Sequence, residues 1–168
     1  MTNRPDPYPH FIAAAAGVAA GPQPAASLAA LVAALRGAIG HKLFTVLAVN
    51  LAANETQRYY SNMPDAYPVG GTKPILRDNQ GMMDVIFAGK CRINHDYAEL
   101  SAAFFDHELI RSLGCESSIN VPVRWNGTTL GMLNILHESG YYSAADIPTL
   151  NVFGALAVPT LLEIIRTW

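Results

Sequence analysis

The stretch that decides the fold is 116–138, which reads ESSINVPVRWNGTTLGMLNILHE. Two apolar-rich runs, 117–124 and 128–137, flank the dipeptide Asn126-Gly127. Asn-Gly is the dipeptide that most readily adopts positive φ at both central positions of a tight turn. The stretch therefore predicts two antiparallel strands joined by a two-residue hairpin turn.

The two faces of this hairpin differ in character because successive side chains of a strand point to opposite sides. The aliphatic face consists of Ile119, Val121, Val123, Gly131, Leu133 and Ile135. The opposite, mixed face carries the polar side chains of Ser118, Asn120 and Asn134 among apolar residues. Burying such groups without hydrogen-bond partners costs about 1–3 kcal/mol each. The mixed face is therefore expected to meet water or to line a cavity that holds a polar molecule.

The remaining sequence predicts further elements on both sides of the hairpin. Apolar periodicity and cap residues predict the order helix, two strands, helix, strand, helix, hairpin and final helix. The predicted strands are 43–51, 56–61 and 91–94, and the predicted helices are 28–39, 79–88, 106–113 and 144–166. The first strand is apolar on both faces, which is typical of a central strand. Asp78 and Asp106 are the expected caps of two helices, and Pro159 should kink the last one.

The hairpin also carries a resemblance to a known family. Gly114-x-x-Ser117-x-Ile119-x-Val-Pro-Val, followed by Asn-Gly and then Leu130-Gly131-x-Leu-x-Ile, resembles the signature of GAF domains. The run AGKCRI at 88–93 resembles a further strand of that family, and YSAAD at 142–146 resembles the start of its closing helix. The resemblance extends from about Leu28 to Ile165.

The resemblance implies an α/β (α+β) fold of the GAF/PAS-like type. Its central antiparallel sheet carries the N- and C-terminal helices on the aliphatic face. Loops and short helices from segment 62–115 cover a ligand cavity on the mixed face. Residues 25–168 are assigned to this GAF-like domain, and residues 1–24 to a flexible or partly helical N-terminal arm.

The resemblance also implies a sensor or regulatory domain that binds a small molecule between the sheet and its cover. The expected ligand-binding residues are Tyr60, Tyr67, Cys91, Cys115, Ser118, Asn120, Asn134 and Leu136. Because Ser118, Asn120 and Asn134 are neutral hydrogen-bonding groups, the ligand is expected to be neutral or weakly polar. The residues name neither that ligand nor a cofactor.

A thiol enzyme is the main alternative, since free methionine-(R)-sulfoxide reductases resemble GAF domains as well. The carboxylates that bind the substrate in those enzymes correspond to Ser118, Asn134 and Leu136, so all three are absent from this chain. Cys115 follows the end of a predicted helix and precedes Glu116, and both features disfavour a thiolate. No catalytic residue is therefore expected.

Composition limits the other function classes. The net charge is −2 with a pI near 6.2 and without a basic cluster, which argues against a nucleic-acid surface. No apolar run reaches the roughly 18 residues of a membrane span. Two cysteines do not form a disulfide framework, so a cytoplasmic location is expected. The His and Cys residues lack zinc-site spacing, so no metal site is expected.

Two further expectations concern a loop and a partner. Segment 62–74 contains three prolines and two glycines and predicts irregular structure, with Lys73 solvated and Tyr67 as a lid over the cavity. Its glycines do not open a helix directly after a strand, as those of a phosphate-binding loop do. The alanine-rich side of helix 28–39 would let a second helix approach closely, and a homodimer through the terminal helices is expected. A purely structural dimerisation module is thus a third alternative.

Overall fold

A computed structural model describes residues 4–167 of the chain. A six-stranded antiparallel sheet forms the centre of the molecule. The strands are β1 (Leu43–Asn50), β2 (Glu55–Ser61), β3 (Thr72–Pro74), β4 (Arg92–Asn94), β5 (Ser117–Trp125) and β6 (Thr128–His137). Their spatial order is β3-β2-β1-β6-β5-β4, so the prediction that β1 is an interior strand is confirmed.

The predicted hairpin turn is confirmed, and a bulge at Leu130 shifts the register of the two strands by one residue beyond the pair Arg124 and Thr129. Asn126 and Gly127 connect β5 to β6 with φ values of 49° and 76°, and Trp125 lies opposite Thr128. Both positive φ angles match the turn type whose twist fits a β-hairpin.

Helices cover both faces of the sheet. The aliphatic face is covered by α1 (Tyr8–Ala19), α2 (Ala25–Ala38), α6 (Ile147–Leu156) and α7 (Val158–Arg166). The mixed face is covered by α3 (Gln80–Met82), which continues as a π-helical turn (Met83–Phe87), and by α4 (Tyr97–Ala103) and α5 (His107–Ser112). This α/β arrangement, with the terminal helices on the aliphatic face, is the one predicted.

The aliphatic face and its helices share the main core. Ile119, Val121, Leu133 and Ile135 are all fully buried there against the terminal helices. Gly131 lies where α7 packs on the sheet, and a Cβ at this position would clash with the backbone oxygen of Leu47 and with a methyl group of α7. A larger residue at this position of β6 would therefore disturb both the pairing with β1 and the packing of α7.

The predicted last helix is two helices in the structure. It breaks at Ala157, and the parts before and after this residue are bent by 42°. Pro159 lies in the first turn of α7, where a missing N–H has no intrahelical partner to lose. The expected kink is therefore a helix boundary.

Three local predictions differ from the structure. Segment 62–74 is not wholly irregular, because Thr72–Pro74 forms the edge strand β3 beside β2. Asn79, not Asp78, caps α3, and its side chain accepts a hydrogen bond from the Met82 amide. Between β4 and α5, where no element was predicted, the chain forms helix α4, whose cap is Asp96.

The N-terminal segment packs on the rest of the chain from Arg4 onward. The Arg4 guanidinium bonds the buried Asp146 carboxylate at 2.8 Å and the carbonyl oxygens of Ile39 and Tyr141. In α1, the Phe11 ring lies 5.1 Å from the ring of Phe153 in α6. Residues 1–3 of the predicted arm, and residue 168 of the predicted domain, lie outside the described residues.

Within residues 4–167, no single helix is long and apolar enough to cross a bilayer. The bent pair Ala144–Leu156 and Val158–Arg166 together reaches the length and apolar composition of a membrane span, by length and composition alone.

Candidate functional site

A cavity of about 600 Å³ lies between the mixed face of the sheet and the segments that cover it. Residues of β1, β2, β5 and β6 form its floor. Residues of β3, of the π-helical turn and of the end of α4 form its walls. Its size falls within the range of small-molecule sites. The alternation of hairpin side chains thus places two polar residues of the mixed face, Asn120 and Asn134, in a cavity.

A polar row crosses the floor of this cavity. Arg92, Asn120, Asn134 and Thr45 are successive cross-strand partners on β4, β5, β6 and β1, so their side chains share one face. Asn120 Nδ2 donates to Asn134 Oδ1 at 2.7 Å, and Asn134 Nδ2 donates to Thr45 Oγ1 at 3.3 Å. The two asparagines are therefore held in fixed orientations by each other and by β1.

Most of the remaining lining is apolar. The apolar residues around the polar row are Leu47, Met82, Val85, Ile86, Phe104, Met132 and Leu136. An apolar cavity with a few convergent polar groups is the usual composition of a small-molecule site.

A charged cluster forms one end of the cavity, where Arg58 of β2 and Lys73 of β3 meet Asp106 and Tyr67. The Arg58 guanidinium stacks 3.7 Å from the centre of the Tyr67 ring, and its Nη1 donates to the Pro68 carbonyl at 2.8 Å. Arg58 Nη2 lies 3.9 Å from Asp106 Oδ2, and Lys73 Nζ lies 3.7 Å from Asp106 Oδ1. These two ion pairs are longer than direct hydrogen bonds between charged groups.

Burial shifts the pKa of two members of this cluster, Tyr67 and Lys73. Desolvation, with a further contribution from the neighbouring Asp106 carboxylate, raises the pKa of Tyr67, so its phenol stays protonated. That phenol donates to Asp106 Oδ2 at 2.6 Å. Desolvation lowers the pKa of Lys73, while Asp106 opposes this shift. Arg58 Nε and Asp106 Oδ1 are buried without a hydrogen-bond partner among the described residues.

A third cation, Arg92, lies at the β4 end of the polar row. Its Nη1 is 3.8 Å from the Asp84 carboxylate of the π-helical turn. Within residues 4–167, no three His, Cys, Asp or Glu side chains are close enough to hold a metal ion together.

Comparison with solved structures identifies this architecture. The chain superposes on the GAF domain of a phosphoenolpyruvate-protein phosphotransferase from Acinetobacter with a TM-score of 0.74, at 11% identity, over 96% of this chain and 95% of that one. The chain has the GAF-domain fold. No protein-family model and no curated protein matches its sequence.

Two other solved structures with the GAF fold cover nearly the whole chain. The nlh2 GAF domain of A. aeolicus in an inactive state gives a TM-score of 0.69 at 14% identity, over 95% of this chain and 96% of that one. The free methionine-R-sulfoxide reductase of Neisseria meningitidis, in complex with its substrate, gives a TM-score of 0.67 at 18% identity, over 96% of this chain and 92% of that one. The same fold thus occurs in proteins of different activity, so the site residues must carry any functional argument.

Four of the eight residues expected at the site line the cavity on the mixed face, namely Tyr67, Asn120, Asn134 and Leu136. The other four, Tyr60, Cys91, Cys115 and Ser118, do not line it. Ser118 lies on the mixed face but is fully buried, where its hydroxyl accepts a hydrogen bond from Asn94 Nδ2 at 2.8 Å.

Tyr60 points to the other side of the sheet because β2 contains a bulge. Leu47 pairs with Arg58 while Val46 pairs with Tyr60, so Tyr59 is an extra residue without a partner in β1. An extra residue reverses the alternation of faces beyond it. Tyr60 therefore packs against the main core, 6.0 Å from the Phe44 ring, and Arg58 is the residue of β2 that faces the cavity.

The two cysteines lie on opposite sides of the sheet. Cys91 packs against the main core, and its thiol donates to Asn151 Oδ1 of α6 at 3.4 Å. Cys115 is fully buried between the sheet and α5, beside Leu43 and Ile110. Burial raises the pKa of the Cys91 thiol to about 11 and also raises that of Cys115.

The sequence did not predict the charged end of the cavity. Arg58 alternates with Thr56 in a predicted strand next to the central one, and this spacing was a usable signal for a cavity-facing cation. Lys73 is not solvated as predicted, because its side chain is only 22% exposed and lines the cavity. Asp106 gave no distinct signal, since an Asp before a helix is normally explained as a cap.

Proposed function

We propose that this chain is a sensor or regulatory domain that binds a small molecule in the cavity on the mixed face of its sheet. The observation that supports it most is the convergence of the Asn120–Asn134–Thr45 chain and the Arg58–Lys73 pair on one apolar space of about 600 Å³. A domain that only filled its core would not need oriented amides there, because an aliphatic floor packs without hydrogen bonds.

The thiol-enzyme alternative receives no comparable support. A thiol nucleophile or redox pair needs an accessible thiolate, and two redox partners need Cα atoms within about 7 Å. Cys91 and Cys115 pack into different cores on the two sides of the sheet, and burial disfavours the thiolate of each. The likeness to the Neisseria meningitidis reductase is one of fold, at 18% identity.

A homodimer through the terminal helices remains part of the proposal. Within the chain, the alanine-rich side of α2 already has one close neighbour, because a Cβ on Gly17 of α1 would clash with Ala30. The outer side of α1 carries the exposed Tyr8 and Ile12, and Ala29 and Ala33 of α2 are also exposed. These residues are the surface through which we expect a second copy to pack.

The binding function is tested by asking whether filling the cavity removes a bound molecule. Protein purified from cells is denatured, and the released small molecules are identified by mass spectrometry. Ala103→Trp places an indole in the cavity wall, whereas Ala155→Trp places one on the exposed side of α6 and serves as the matched control.

We expect a released molecule from the wild type and from Ala155→Trp, and its loss from Ala103→Trp. Circular dichroism and thermal melting establish that both variants are folded. A molecule released equally by all three proteins would place its binding elsewhere and contradict the proposal.

A further inference from the structure

The charges that line the cavity are unbalanced. Three cationic side chains, Arg58, Lys73 and Arg92, contribute to its lining, and no Asp or Glu does so among residues 4–167. Asp106 and Asp84 stand behind these cations, outside the lining. A molecule inside the cavity therefore meets positive charge without a competing carboxylate surface. The neutral ligand expected from the asparagines alone does not account for this.

The imbalance is concentrated at the Arg58–Lys73 end. One carboxylate, Asp106, faces two cations there, whereas Asp84 faces Arg92 alone. The two ends lie on β2 and β4, which are four strand spacings or about 19 Å apart in the sheet. One uncompensated positive charge thus remains at the β2–β3 end, and none remains at the β4 end.

The donors at that end are also unused. Arg58 Nη2 and Lys73 Nζ make no hydrogen bond to the described residues, since Asp106 lies 3.9 Å and 3.7 Å from them. The Arg58 side chain is only 10% exposed, and an Arg buried to this extent gains stability from a further hydrogen-bonded anion. Stacking on Tyr67 and the bond to Pro68 fix the guanidinium before any ligand arrives.

We infer that the cavity binds an anionic small molecule whose single acidic group, a carboxylate or a phosphate, lies against Arg58 and Lys73. The body of this molecule extends over Met132 and Leu47 toward the Asn120–Asn134 pair, which supplies neutral hydrogen bonds. The inference rests on the proposed function and adds to it the chemical class of the ligand.

The test compares probes of one shape and different charge on the full-length chain at pH 7.5. The probes are 3-phenylpropionate, octanoate and 2-phenylethyl phosphate, with 3-phenylpropionamide and octanamide as uncharged counterparts. Amide NMR titration measures the affinity of each probe and shows which residues it contacts. The two acidic head groups distinguish a carboxylate site from a phosphate site.

We expect the acidic probes to shift the resonances of β2 and β3 and to bind at least about tenfold more tightly than the amides, as charged hydrogen bonds imply. Lys73→Gln should reduce this preference to about threefold or less, because it removes one of the two donors without reaching the main core. Arg58→Gln should act in the same way. Lys42→Gln, at the residue directly before β1 and outside the cavity lining, is the charge-matched control and should keep the preference.

The outcomes separate this inference from the proposed function. Amides that bind as tightly as acids would overturn the anionic ligand while leaving the cavity a binding site. If no probe shifts the resonance of a cavity residue, both the anionic ligand and the proposed binding function are overturned. An equal loss in Lys42→Gln and Lys73→Gln would reduce the effect to net charge and also overturn the inference. If Arg58→Gln does not fold, Lys73→Gln on the edge strand decides alone.

Discussion

Asp106 occupies the N-cap position of α5, yet its carboxylate accepts a hydrogen bond from the Tyr67 hydroxyl at 2.6 Å instead of capping that helix. Tyr67 belongs to the loop between β2 and β3, and Asp106 follows α4, so the bond joins two of the segments that cover the cavity. A cap bond contributes about 1 kcal/mol. Its replacement by a bond between covering segments indicates that closure of the cavity takes precedence over the local helix end.

Tyr67→Phe should lower the stability of the domain. The substitution keeps the ring that stacks on Arg58 but leaves the largely buried Asp106 carboxylate without its hydroxyl donor, at a cost of about 1–3 kcal/mol. Chemical denaturation measures the change in the free energy of unfolding. Tyr8→Phe, which alters an exposed ring on α1, is the control and should leave it unchanged. Equal stabilities of the Tyr67 variant and the wild type would show that the bond contributes nothing.

Gly127→Val should destabilise the chain by about 1–3 kcal/mol. Gly127 has a φ of 76° in the hairpin turn, and a β-branched residue strongly resists positive φ. No neighbouring atom lies within 4 Å of a Cβ built at this position, so the loss reports backbone strain and not a clash. Thr128→Val, at the adjacent exposed strand position, introduces the same side chain without the strained φ. Chemical denaturation of both variants measures the effect. A denaturation midpoint that falls equally in Gly127→Val and Thr128→Val would contradict the assignment of the turn.

Sequence reasoning was most successful where the signal is local. A bulge at Leu130 shifts the hairpin register by one residue, but the Asn126-Gly127 dipeptide predicts the turn itself, and period-two alternation within each strand predicts the faces of Asn120 and Asn134. Each of these inferences needs only neighbouring residues. The GAF fold was expected from the resemblance that this hairpin carries, and the interior position of β1 from its apolar residues on both faces.

Periodicity signals Arg58 as one cavity-facing cation, but the rest of the charged end and the face of Tyr60 were not predictable by the same means. One extra residue, Tyr59, exchanges the faces of Tyr60 and its neighbours, and neither propensity nor periodicity signals a bulge of this kind. Arg58, Lys73 and Asp106 come from three separate segments, so only the folded chain shows that they meet. Asp106 has a sound local explanation as a helix cap, and tertiary contacts override it.

The expected homodimer makes a prediction about mass. Light scattering coupled to gel filtration should give about twice the 18.1 kDa of one chain at high protein concentration. Ile12→Glu, on the exposed side of α1, should shift the protein toward the monomer, because it places a charge in the proposed apolar contact. Leu76→Glu, at an exposed position of the cavity side, is the matched control and should retain the dimer. A wild-type mass of one chain at all concentrations would contradict the expectation.

The thiols make the last prediction, which concerns reactivity and pH. Only the thiolate reacts with iodoacetamide, so a buried thiol with a raised pKa should be alkylated slowly at neutral pH. Because burial raises the pKa of Cys91 to about 11, its alkylation rate should still be rising from pH 8 to pH 10, by roughly tenfold per pH unit.

The Cys115→Ser variant isolates Cys91, and the Cys91→Ser variant isolates the fully buried Cys115, whose reaction should be slower still. The double variant should keep its fold and its affinity for the probes of the cavity, since neither thiol lines that space. A rate for either thiol that levels off below about pH 7 would reveal an activated thiolate and restore the thiol-enzyme alternative.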